Sequence, residues 1–153
     1  PVLDEKGLGN LKGEIAIASA KKAYEIYKEI FYSERFKILG DKGAKRQRVL
    51  WASTSSKDPS FSDTKYVEAL IGPETINTVP LETIDAFRDH GKAANRLEED
   101  LDKATNALVQ LTEKGIDIDT ITQKLEDEGI EKFNKPYDIL LDAIEKQKKS
   151  THA

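Results

Sequence analysis

The chain has 153 residues, enough for one domain, with 38% hydrophobic side chains, 34% charged side chains and a net charge of −4. It has no cysteine, which removes disulfides, zinc–thiolate sites and thiol catalysis from consideration, and no basic stripe suited to a nucleic-acid backbone. No apolar run approaches the ~20 residues that a membrane span needs, and the opening residues do not read as a signal peptide.

Methionine is also absent, position 1 included, so Pro1-Val2-Leu3-Asp4 is expected to be either a processed start or the edge of a piece of something longer. Residues 1–13 are glycine-rich and predict a loop or the tail of a preceding element. From Glu14 to about Phe31 the pattern is helical: Ala20, Ala23, Tyr24, Tyr27, Ile30 and Phe31 recur at helical spacing, with Lys21, Lys22, Glu25, Lys28 and Glu29 between them. A further turn or two is predicted from Ser33 to Leu39, capped by Ser33 and stopped by Gly40. After a short basic stretch, Val49-Leu50-Trp51-Ala52 reads as a strand buried on both faces. A hydroxyl-rich loop follows from Ser53 to Ser62, and Ser62-Asp63 opens a helix over Thr64 to Leu70 that Gly72-Pro73 ends. Thr75 to Val79 is a second strand, closed by Pro80, and Glu82 to Asp89 a helix with Gly91 behind it. Repeated strand–loop–helix units build parallel sheets covered by helices, yet two such strands alone leave faces and edges without partners.

The remainder reads as helical. Leu97, Leu101, Ala104, Leu108 and Leu111 stripe a helix running to about Lys114. Asp119 is expected to cap a helix over Thr120 to Glu128 that Gly129 ends, and Tyr137 to Gln147 forms a last amphipathic helix before a frayed tail, Lys148 to Ala153.

The loop Ser53-Thr54-Ser55-Ser56-Lys57-Asp58-Pro59 carries most of the chemistry. Hydroxyls and amides donate to phosphate oxygens and an ammonium neutralises charge, so Ser53, Thr54 and Lys57 are candidate phosphate ligands; an ordinary polar turn has the same composition. Asn77 and Thr78, at the carboxyl end of the second strand, are candidates for a barrel mouth or plain strand-end polar groups. His90 precedes Gly91 at a helix end, where its charged form suits the dipole, and is read as structural; His152 lies in the tail. Neither histidine has a serine or cysteine partner at a triad spacing. Glu98-Glu99-Asp100 and Glu126-Asp127-Glu128 splay around their helices, so no metal site is expected.

Several segments together resemble transaldolases of the cyanobacterial and actinobacterial type. These are Leu11-Lys12-Gly13 with Ile15-Ala16-Ile17-Ala18, Leu50-Trp51-Ala52-Ser53-Thr54 with Lys57-Asp58-Pro59, and Leu70 through Pro80. Asp89-His90-Gly91, Leu97-Glu98-Glu99-Asp100-Leu101 and Glu128 through Phe133 continue the match in order along nearly the whole chain. The resemblance implies an α/β fold, the C-terminal part of a (β/α)₈ TIM barrel that is mostly helical by residue count. Residues 14–48 would form the helix before the seventh strand, 49–91 the seventh strand, phosphate loop, eighth strand and their helices, and 92–153 a C-terminal helical extension. It also implies cofactor-free class I aldol transfer in the cytoplasm, in the pentose phosphate pathway. A lysine Schiff base moves a dihydroxyacetone unit among fructose 6-phosphate, sedoheptulose 7-phosphate, erythrose 4-phosphate and glyceraldehyde 3-phosphate.

In that family the nucleophilic lysine lies on the fourth strand, with an Asp from the first and a Glu from the third. All three would precede Pro1, so no lysine of this chain is assigned as nucleophile, and the chain alone is expected to be inactive. Its other partner would be the missing N-terminal part or a second copy of itself. The family's phosphate-binding serine matches Ser53. The arginine that many members place two residues later is Ser55 here, which leaves Lys57 as the expected charge. Phe133 and Tyr137 would either cover the barrel mouth or pack in a core. Two other readings are another phosphosugar aldolase or isomerase barrel, against which the ordered match argues, and an independent helical interaction module, against which the partnerless strands argue.

Overall fold

A computed structural model describes residues 2–151. The elements run α1 (Val2–Glu5), a 3₁₀ turn (Gly9–Leu11), α2 (Ile15–Phe31), α3 (Glu34–Asp41), β1 (Val49–Ala52), α4 (Lys65–Ala69), β2 (Thr75–Thr78), α5 (Leu81–His90), α6 (Leu101–Glu113) and α7 (Ile118–Thr151). The chain divides into two compact units, one ending at Gln110 and one starting at Leu111.

In the first unit β1 and β2 form a two-stranded parallel sheet, with Val49 opposite Thr75, Leu50 opposite Ile76, Trp51 opposite Asn77 and Ala52 opposite Thr78. Parallel strands need a crossover, and the loop together with α4 supplies it. The expectation that Val49–Ala52 is buried on both faces fails. Trp51 is buried, whereas Leu50 is 52% exposed and Ala52 is exposed, because helices cover only one face of this small sheet.

The core on that face joins Tyr24 and Tyr27 of α2 to Trp51, Leu70 and Leu97, with Ile17, Ala20, Phe31 and Val49 around them. The Tyr24 and Tyr27 rings stack at 5.8 Å, and Phe31 lies 5.0 Å from Tyr27. The Trp51 indole N–H donates to the Leu70 carbonyl at 3.1 Å, so the ring is buried with its polar atom satisfied. Leu97 is fully buried against Gly72, where a Cβ would come within 2.6 Å of a Leu97 methyl. Glycine is needed at position 72 for that approach, and both Arg96 and Leu97 amides then reach the Ile71 carbonyl at 3.0 Å.

Sequence periodicity places α2 correctly but misassigns part of its buried face. Ala18, Lys21, Tyr24 and Tyr27 are buried, while Ala23 and Ile30 are exposed. Lys21 is therefore not a solvated residue between apolar ones. Its ammonium donates to the Arg96 carbonyl at 3.1 Å and to the Glu99 carbonyl, tying α2 to the turn before α6. Farther along α2, Tyr24 donates to the Pro73 carbonyl. Glu74, in the left-handed region at φ 55°, accepts from Tyr27 at 3.0 Å, Tyr32 at 2.6 Å and Arg46 at 3.1 Å. The Tyr32 and Tyr27 hydrogen bonds and the Arg46 charge hold the Glu74 carboxyl below the usual carboxylate range. This clamp fixes the residue immediately before β2.

Several boundaries differ from expectation. The predicted loop over residues 1–13 contains α1 and the 3₁₀ turn, folded so that Leu8 and Leu11 are buried. Ser33 caps α3 as predicted, accepting from the Phe36 amide, but the helix runs through Gly40 to Asp41. Leu97 lies in a turn and not in α6, since Asp100 takes φ 50° and breaks the path.

In the second unit, helix α7 replaces the two helices expected there. Its start is capped by Asp117, which accepts from the Asp119 amide at 3.1 Å and the Thr120 hydroxyl at 2.6 Å; Asp119 is not the cap. Gly129 does not stop it, because i,i+4 pairs from Lys124 and Lys132 to Glu128 and from Lys135 to Glu131 bracket that turn. Pro136 lies inside it and costs one backbone hydrogen bond. The expected fraying from Lys148 gives way to helix as far as Thr151, and His152 lies outside the described residues. Phe133 and Tyr137 are 82% and 60% exposed, so the core packing considered for them is not what this unit does with them. Among the described residues no helix is long and apolar enough to cross a membrane, and no group of His, Cys, Asp and Glu side chains could hold a metal.

Candidate functional site

The parallel register brings the carboxyl ends of β1 and β2 side by side, so the residues that leave them meet. Ser53, the first residue after β1, is in the left-handed region at φ 54°, a conformation uncommon for a residue with a Cβ. That turn redirects the chain across the end of the sheet. The Ser53 amide donates to the Thr78 hydroxyl at 3.2 Å, and the same hydroxyl lies 3.2 Å from the Trp51 carbonyl, to which it donates. Next along the chain, the buried Thr54 donates its hydroxyl to Asn77 Oδ1 at 2.8 Å.

Four of the five residues singled out from sequence are thus joined in one hydrogen-bonded junction: Ser53, Thr54, Asn77 and Thr78. Ser53 and Lys57 are exposed. Among the described residues Lys57 adds no hydrogen bond or ion pair to the junction, and the amides of 54–57 donate no backbone hydrogen bond. Farther on, Asp58 orders the loop by accepting from the Ser60 amide at 2.9 Å and the Ser60 hydroxyl at 2.7 Å, and the Ser60 hydroxyl leads the contacts that hold its carboxyl below the usual range. The arrangement sets amides without backbone partners beside an exposed serine and an exposed lysine, with no carboxylate hydrogen-bonded to Ser53 or Thr54.

The polar network beside the loop is structural. Glu68 of α4 accepts from the Thr64 hydroxyl, the Lys92 amide and Arg96. His90 reaches Asp63 at 2.9 Å and Asp89 at 3.1 Å, and these carboxylates, Asp63 foremost, raise its pKa. The structural reading of His90 fits this pairing, with Asp63 as a partner that the helix-end argument did not identify. A groove of about 780 Å³ lies among Glu14, Lys21, Lys65, Arg96, Asp100 and Lys103 and contains none of the candidate residues. Within it Glu14 pairs with Lys65 at 2.8 Å and with Lys103 at 3.4 Å.

Residues 3–144 match the family described as Transaldolase/Fructose-6-phosphate aldolase. The chain is 47% identical to a transaldolase of Trichodesmium erythraeum over 141 residues, which is 91% of this chain and 37% of that protein. It is 47% identical to transaldolase 2 of Nostoc punctiforme over 143 residues, 92% of this chain and 38% of that protein. Against a transaldolase of Saccharopolyspora erythraea the identity is 42% over 143 residues, 93% and 39% of the two chains. The chain therefore spans little more than a third of the length of the curated relatives it matches, and its mostly helical α/β structure with a small parallel sheet accords with part of a larger fold. On the family match and these identities, the chain belongs to the transaldolase/fructose-6-phosphate aldolase family.

Proposed function

We propose that this chain is the C-terminal part of a (β/α)₈ barrel transaldolase, with β1 and β2 as its last two strands, and that it supplies the substrate-phosphate side of the active site. The whole enzyme would transfer a dihydroxyacetone unit between sugar phosphates in the cytoplasm, through a Schiff base on a lysine outside these residues. Ser53 donates its hydroxyl to the phosphate, the amides that follow complete the cradle, and Lys57 swings in to neutralise charge. Thr54, Asn77 and Thr78 hold the cradle in shape. The observation that carries this reading is the junction at the carboxyl ends of the strands, which spends the hydroxyls of Thr54 and Thr78 on structure and leaves Ser53 exposed.

The test uses the whole protein and two acceptors, erythrose 4-phosphate and unphosphorylated erythrose. A hydrogen bond to a charged group is worth enough that Ser53→Ala should raise KM for the phosphorylated acceptor about tenfold or more, with kcat little changed. Lys57→Ala should act in the same direction and more strongly at low salt. Erythrose itself should be used unchanged. An equal loss with both acceptors would mean that the loop does not serve the phosphate.

A further inference from the structure

The geometry points to Thr78 as a positioning residue for phosphate recognition: its hydroxyl holds Ser53 in the left-handed turn that presents the serine to the anion, without touching the anion itself. This rests on the reading of Ser53 as a phosphate ligand. Thr78 is the last residue of β2 and exposed, a place where a polar side chain usually has no structural task. Here its hydroxyl is bonded to both sides of the turn, donating to the Trp51 carbonyl before it and accepting from the Ser53 amide within it, each at 3.2 Å.

A hydroxyl suits the task because it donates and accepts at once. A methyl in its place leaves the Ser53 amide without that partner and removes one of the two ties that hold φ 54° against the extended conformations that serine prefers, the other being Thr54 to Asn77. Neighbouring strand residues face opposite sides of a sheet, so Thr78 and Asn77 secure consecutive loop residues, Ser53 and Thr54, from two directions. The two ties are not equivalent. The one from Asn77 is part-buried and holds the buried Thr54, whereas the one from Thr78 is exposed and holds the exposed Ser53.

Thr78→Val keeps the shape and removes the hydroxyl, and Thr78→Ser restores it. In the whole protein, Thr78→Val should raise KM for erythrose 4-phosphate about fivefold and weaken competitive inhibition by inorganic phosphate by the same factor. Turnover of unphosphorylated erythrose should stay within about twofold, and Thr78→Ser should behave as the parent. On a Ser53→Ala background, Thr78→Val should add nothing, since the group it positions is gone. If Ser53→Ala shows its effect and Thr78→Val does not, the inference is wrong and the phosphate reading stands. Equal losses with both acceptors, or a full extra factor on the Ser53→Ala background, also overturn it, by showing a general structural role or an independent contact. If Ser53→Ala itself changes nothing, the reading of the loop fails and the inference with it. Thr78→Ala, read by phosphate inhibition alone, decides the matter should the valine variant not fold.

Discussion

Replacing Trp51 by alanine is expected to destabilise the first unit by about 3–5 kcal/mol, the range for removing a large aromatic side chain from a core. Trp51 is buried in the cluster with Tyr24, Tyr27, Leu70 and Leu97, and truncation leaves a cavity whose walls belong to three separate segments of chain. It also strands the Leu70 carbonyl that the indole N–H satisfies. Trp51→Phe separates the two causes. The phenyl ring keeps most of the volume and loses the hydrogen bond, so its cost should be about 1–2 kcal/mol. Urea denaturation followed by far-UV circular dichroism is the right measurement, because Trp51 is the chain's one tryptophan and the variants remove the fluorescent reporter. A loss below about 1 kcal/mol for the alanine variant would show that the site collapses or that Trp51 is not part of the core. The consequence extends to function, since the carbonyl of this residue is one of the two groups that Thr78 bridges.

Lys21→Met should cost about 2–4 kcal/mol although it makes the chain more apolar. The methionine retains the stem that packs beside Ala18 and Tyr24, so packing changes little. What disappears is a buried ammonium that donates to two backbone carbonyls, those of Arg96 and Glu99. These oxygens sit in the turn that carries Leu97 into the core; the Arg96 carbonyl also accepts from the Glu99 amide at 3.1 Å, whereas among the described residues the Glu99 carbonyl has Lys21 as its donor. Leaving the Glu99 carbonyl without a donor, and the Arg96 carbonyl with only the Glu99 amide, costs more than the methionine's extra burial recovers. The same urea titration checks this, and Lys21→Arg should recover part of the loss. A methionine variant as stable as the parent would mean that water replaces the ammonium and that the tie is incidental.

Much of this fold can be read along the chain because its signals are local. Helix α2, the Ser33 cap, the two strands and the closing turn at Gly72 each follow from residues within a few positions of one another. The resemblance to one family was legible for the same reason, being carried by short ordered segments that residues 3–144 confirm as a whole. What was not legible depends on distant partners. Lys21 looks solvated until the turn 75 residues away brings two carbonyls to it. Leu50 looks buried because its apolar neighbours suggest a covered sheet, and it is half exposed. Gly129 looks like a helix end, yet α7 runs through it, with ion pairs on either side, and through Pro136 at the loss of one backbone hydrogen bond.

The loop chemistry was legible as composition, and the candidates Ser53, Thr54, Asn77 and Thr78 do converge. Their division of labour was not, because it lies in cross-strand hydrogen bonds 23 and 25 residues apart in sequence. The left-handed turn at Ser53 is equally invisible in the residue types, which include no glycine to announce it.

Borohydride trapping separates the two halves of the proposed chemistry. The whole protein is incubated with fructose 6-phosphate, the Schiff base is reduced, and the modified lysine is located by peptide mass. The adduct is expected on a peptide outside these 153 residues, with Lys57 unmodified and free to serve the phosphate. An adduct on Lys57, or on any other lysine of this chain, would contradict the account.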